Sequence, residues 1–121
     1  MIRASLAAFV GVSGASLVLF SAWLSHGAND LPPQTLKNLI IAVSFGFVHI
    51  LALVSSISLF EQHISAKVAS YGFVTGIILF CGSIITKSFL HIGFLANVAP
   101  VGGMAFVLGW LCLAISIGKK H

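Results

Sequence analysis

The run AVSFGFVHILALVSSISLF, residues 42–60, holds a single imidazole, His49, near its middle. A histidine in such a run can carry a proton, ligate haem or a metal, or hydrogen-bond a neighbouring helix. The first three make it a functional site. The last makes it a polar link that fixes how helices pair. The other reactive side chains are sparse. His26 closes a long apolar run, Ser83 and Lys87 lie four apart in another, and His91 and Asn97 follow them. Cys81 and Cys112 sit inside apolar runs, with no CxxC and no Cys/His pair at zinc spacing. They read as small packing residues.

Several chemistries are poorly served by this set. Proton or ion transport normally shows acids within the spans, and the two acids here, Asp30 and Glu61, lie in polar connections. There are no paired carboxylates, no nucleophile–base pair and no Gly-rich phosphate loop, so no enzyme activity is expected. A bis-histidine haem needs two rings at one depth. His26 ends a helix and His49 is central, about 15 Å apart along the membrane normal at about 1.5 Å per residue. A metal site from His26, His49 and Cys81 fails the same test. No cofactor or metal is expected. The formal charge of +4 comes from six scattered basic residues, without the patch and aromatic interleaving that nucleic acid needs.

The elements that hold these residues follow from composition. Hydrophobic residues make up 59% and charged residues 7%, and mean hydropathy is +1.13. Soluble domains carry about 25% charged residues. The chain therefore reads as an integral membrane protein whose first partner is the lipid bilayer. Charges divide it into uncharged stretches at residues 4–29, 38–60, 68–86 and 88–118, each able to hold the roughly 20 residues that span a bilayer. Open sheets cannot satisfy their backbone in lipid. The expected fold is all-α, one domain over residues 1–121, with transmembrane helices at about 3–25, 36–60, 67–88 and 98–118. The run from Ala4 to Ser25 is longer than a signal peptide's apolar region of about 7–15 residues, so a retained helix is expected. HGANDLPPQT, EQHISAK and HIGFLANVAP are the connections. Four spans put both termini on one side, with Arg3, Lys67, Lys119 and Lys120. Lys37 and Lys87 fall on the other side. That bias favours cytoplasmic termini.

Small residues let helices approach in lipid. The first span carries Ala7, Gly11 and Ala15, and the second Ala42 and Gly46. The third carries Gly72 and Gly76, and the fourth Gly102, Gly103, Ala105 and Gly109. All are expected to face the bundle. Followed along their helices, the stripes reach His26, His49, Ser83 with Lys87, and Cys112 with Ser116. His49 is therefore expected to point inward, about 18 Å past Lys37 at about 1.5 Å per residue. Ser44, Ser83 or a backbone carbonyl is the candidate partner for its N–H. His26, Asn29, Asp30, Lys87, His91 and Asn97 are expected to form a polar rim at the far surface. Trp23 and Tyr71 suit interface anchoring and Trp110 suits it less well; a ligand cage is the alternative.

The stretches SHG at 25–27, PPQTLKNLIIAVSFGFVHILAL at 32–53, GIILFCGSI at 76–84 and APVGGMAFVLGWLCLA at 99–114 resemble the YgdD-like small inner-membrane proteins. That family is a domain of unknown function. The resemblance touches all four spans and implies a four-span bacterial inner-membrane protein with no assigned activity. It puts His26, His49, Ser83, Pro100, Gly102, Gly103 and Trp110 at motif positions. Leu39-Ile40 stand where such proteins often carry an aromatic–acidic pair.

These readings converge on a small inner-membrane protein of unassigned biochemical role, multi-pass, with both termini cytoplasmic. It would act as a structural or interaction module, as a homo-oligomer or an accessory subunit of a larger membrane complex. The alternative is a small carrier or a lipid- or quinone-binding protein, with its site running from the His26/Lys87/His91/Asn97 rim down to His49 and Ser83.

Overall fold

A computed structural model describes residues 1–119. Lys120, counted above among the terminal cations, lies outside them. The chain is all-α. Helix α1 runs Ile2–His26, α2 Pro33–Ser58, α3 Ile64–Gly76, α4 Gly82–Leu90 and α5 Val98–Gly118. A π-turn, Ile77–Cys81, joins α3 to α4, and a 3₁₀ turn, Gly93–Asn97, leads into α5. This makes four spans long and apolar enough to cross a membrane: Ile2–His26, Pro33–Ser58, Ile64–Leu90 and Gly93–Gly118.

The helix ends differ from those expected because charges are poor markers of where a helix begins. The second span starts at Pro33, three residues before 36, with Pro33, Gln34 and Thr35 forming the first turn that their sequence suits. Proline suits the first helical position, where its missing N–H has no intrahelical partner to lose. It stops at Ser58, where the Leu59 N–H turns back to the Ser56 carbonyl. The third span starts at Ile64, after an extended His63, and Lys67 lies within its first turn. The Lys67 ammonium sits 5.5 Å from the centre of the Phe60 ring, so an aromatic face holds the charge at the boundary. The span ends at Leu90 because His91 takes a left-handed conformation (φ 55°) and donates its N–H to the Lys87 carbonyl, an αL cap.

The closest packing is between α3 and α5, and glycines make it possible. A Cβ added at Gly72 would come 3.1 Å from the Ala105 carbonyl oxygen. One at Gly109 would come 2.8 Å from the Phe73 ring. At Gly76 it would fall on the Phe106 ring, and at Gly102 on the backbone of Phe80, inside the π-turn. The Phe73 and Phe106 rings thus fill the notches of Gly109 and Gly76, while at Gly72 and Gly102 backbone meets backbone. Helix α2 closes the third side through Leu39, Ala42, Val43, Gly46, Ile50 and Leu53, all buried.

Helix α1 is attached differently. It leans on α2, with Leu17 filling the hollow over Gly46, where an added Cβ would come 2.7 Å from a Leu17 methyl. Leu6 and Leu17 are its buried residues. Gly11 does not pack as expected. It is exposed, and nothing lies within 4 Å of where its Cβ would stand. Ala7 and Ala15 are exposed with it. The inward face of α1 is instead the large one, Leu6, Phe9, Val10, Leu17, Phe20 and Leu24.

Candidate functional site

His49 is 5% exposed and sits where α2, α3 and α5 meet. Its ring stacks on Phe106, with centroids 3.6 Å apart and planes 13° from parallel. Phe45 stacks at 5.7 Å, and the Phe73 ring lies tilted by 52° at 6.0 Å. Both ring nitrogens are engaged. Nδ1 lies 2.6 Å from the Phe45 carbonyl oxygen, one turn back on α2. The Trp110 indole Nε1–H donates to Nε2 across 3.0 Å. A carbonyl only accepts and an indole N–H only donates. The pair of contacts therefore assigns the neutral tautomer with its proton on Nδ1. This matches one of the three partners considered from sequence, the backbone carbonyl. Ser44 is exposed on α2, and the Ser83 hydroxyl donates to the Phe80 carbonyl.

Trp110 was not paired with His49 by sequence reasoning. It is 43% exposed, so one edge of the indole meets the His49 cluster while the rest covers the bundle's outer surface. The available signal was its misfit as an interface anchor, since it lies eight residues inside the last span. The arrangement leaves His49 no nitrogen for a ligand. It can lock the relative rotation and height of α2 and α5.

His26 takes no part in this cluster. It is exposed in the last turn of α1. The polar rim expected at the far surface forms in part. A cavity of about 340 Å³ opens between the start of α2, the end of α4 and the start of α5. Ser83, Lys87 and His91 line it, as do Thr35, Asn38 and Ser88. His26, Asn29, Asp30 and Asn97 do not line it. Gly103, expected to pack with Gly102, is peripheral: its nearest neighbour would be the Phe80 ring at 4.0 Å.

At the opposite end, serines tie the helices. The hydroxyls of Ser56 and Ser70 lie 2.8 Å apart between α2 and α3. Those of Ser65 and Ser116 lie 2.6 Å apart between α3 and α5. Cys81 does more than fill space: its thiol lies 3.2 Å from the Ala42 carbonyl, a weak donor to the second span.

Comparisons with known proteins agree with this architecture. A UPF0382 membrane protein of Haemophilus influenzae is 26% identical over 113 residues, covering 92% of this chain and 91% of that protein. The UPF0382 membrane protein YwdK of Bacillus subtilis is 33% identical over 55 residues, 46% of this chain and 45% of the relative. A UPF0382 membrane protein of Staphylococcus haemolyticus is 39% identical over 44 residues, 36% of each chain. No solved structure matches. The model of a protein family of unknown function, DUF423, matches residues 20–103, more than half of the chain. The chain belongs to the DUF423 family of membrane proteins, for which no biochemical role is assigned.

Proposed function

We propose that this protein is a membrane-embedded interaction module that pairs with a second copy of itself through α1. The observation that carries this reading is a stripe on the outer face of α1. Ala4, Ala8, Gly11, Ala15, Val18 and Ala22 are all exposed, at alternating steps of four and three. That spacing repeats every seven residues and keeps one face of a helix turned toward a partner over its whole length. The stripe lies opposite Leu6, Leu17 and Leu24, which hold α1 to the bundle. In lipid there is no hydrophobic drive between helices, and small residues serve association by letting backbones approach. The face is uncharged, so no charge repulsion opposes pairing with its own copy across a two-fold axis along the membrane normal.

Within the family, the chain is read as one of the YgdD-like inner-membrane proteins, on the motif residues His26, His49, Ser83, Pro100, Gly102, Gly103 and Trp110. Its location is read as the bacterial inner membrane, with both termini cytoplasmic; Arg3, Lys67 and Lys119 on the terminal side support this. The role is non-enzymatic. The best-placed proton carrier, His49, has both nitrogens committed to Phe45 and Trp110.

Native mass spectrometry from a mild detergent tests the pairing. Wild type is expected as a dimer. Gly11→Phe, which puts a large ring on the outer stripe, is expected as a folded monomer. A wild-type monomer, or a dimer unaffected by Gly11→Phe, contradicts the reading.

A further inference from the structure

The cavity at the end of the bundle away from the termini is not used by the pairing reading and does not depend on it. We propose that it binds one phosphate-bearing anion per chain, the headgroup of an anionic lipid of the adjoining leaflet. Four features point there. Its volume, about 340 Å³, is that of a small-ligand site. Its charged and titratable lining is Lys87 and His91, and no carboxylate lines it.

The remaining donors converge on the same space. The Asn38 side-chain oxygen accepts from Gln34 across 3.0 Å, which leaves its N–H₂ group free for a ligand. Thr35 adds a hydroxyl. Ser88 and Ser83, by contrast, spend their protons on the carbonyls of Ile84 and Phe80. The first turns of α2 and α5, represented by Thr35 and Ala99, both open on the cavity. At the start of α5 the Val98 N–H is spent on the Leu95 carbonyl, so the side chains of Lys87, His91, Asn38 and Thr35 are the donors offered to an anion.

The fourth feature separates a lipid from a free ion. The inner wall is apolar, with Ile41, Ile84 and Leu95. Lys87 lies in the last turn of its helix, at headgroup height, while Ile41 and Ile84 lie deeper in their spans. A phosphodiester would sit on Lys87 and Asn38 with its glycerol and chains against the isoleucines. Basic pockets between transmembrane helices hold anionic headgroups in this manner.

The test uses the full chain in nanodiscs of phosphatidylcholine carrying a minor fraction of phosphatidylglycerol. The readout is the phosphatidylglycerol retained per chain after transfer to detergent, by native mass spectrometry. Wild type is expected to keep one. Lys87→Gln is expected to keep about tenfold less, the loss of one hydrogen bond to a charged group. Lys87→Arg should restore retention and shows that the site folds. Asn38→Asp, which puts a carboxylate into the site, should lower it too. Lys37→Gln is the control, because Lys37 is exposed at the same end of the bundle but does not line the cavity.

Equal losses for Lys37→Gln and Lys87→Gln would reduce the effect to general surface attraction and overturn the proposal. Equal retention of phosphatidylcholine would do the same. Inorganic phosphate added to the detergent-transferred protein that still holds phosphatidylglycerol separates the two sources of the chemistry. Failure to displace phosphatidylglycerol at millimolar phosphate supports the lipid. Lys87-dependent displacement supports the anion site and reassigns its occupant to a soluble phosphate.

Discussion

Gly72 and Gly76 on α3 lie four apart, as do Gly11 and Ala15 on α1, yet the first pair is closed under α5 and the second faces outward. The difference lies in what stands opposite. Helix α5 offers Gly109 to Phe73 and receives Gly76 under Phe106, so notch and ring alternate across the seam. Helix α2 offers α1 a single hollow, at Gly46, and Leu17 fills it. Small residues permit close approach, but a neighbour's large residues decide where it happens. The small-residue face of α1 has no such neighbour within the bundle.

The contrast can be broken by mutation, and the effects should fall in a clear order. Gly102→Leu should be the most damaging, because the atoms it would strike belong to the Phe80 backbone and cannot rotate away. A loss of at least about 3 kcal/mol, or failure to fold, is expected from overpacking. It can be measured as the shift in denaturing-detergent unfolding. Gly11→Leu at the other stripe should change monomer stability by less than about 0.5 kcal/mol, as substitutions away from packed features do.

His49→Ala comes next. It removes the stack on Phe106 and leaves the Trp110 N–H without its acceptor. A cost of at least about 2 kcal/mol is expected, the lower end for truncating a large core side chain. His49→Phe keeps the stack and should recover part of that. Trp110→Phe isolates the hydrogen bond and should cost about 1 kcal/mol, within the range for polar links between transmembrane helices. Trp110 fluorescence gives an independent readout: in a Trp23→Phe background, His49→Ala removes the acceptor of the indole N–H and should shift the Trp110 emission. Among the packed contacts Ser70→Ala should cost least, about 0.6 kcal/mol, the average found for such contacts in membranes, because it loses a single hydroxyl pairing with Ser56.

Much of the fold was legible because the bilayer admits so few solutions. Four uncharged stretches and three polar connections leave a helical bundle as the only arrangement. The inward direction of His49 was legible too, since Ala42 and Gly46 share its face and both are buried. Its partner was not. An indole in a membrane sequence reads as an interface anchor, and nothing in the spacing of His49 and Trp110, sixty-one residues apart, signals a contact. The π-turn at Ile77–Cys81 also left no mark, because IILFC suits an ordinary helix equally well. The cavity was half legible. Lys87, His91 and Ser83 stood out as polar, whereas Thr35, in the first turn of the second helix, was not read as part of the rim. The outer stripe on α1 was missed because Ala7, Gly11 and Ala15 were read at a fixed step of four. The stripe from Ala4 to Ala22 follows steps of four and three instead.

Cysteine crosslinking along α1 in native membranes is the most direct test that the open stripe is a pairing face. The background carries Cys81→Ala and Cys112→Ala, and single cysteines replace residues 4 to 22 in turn. The account predicts dimers peaking at positions 4, 8, 11, 15, 18 and 22. It predicts none at the exposed α5 positions 104 and 108. Uniform crosslinking along α1, or dimers formed through α5 instead, would contradict it.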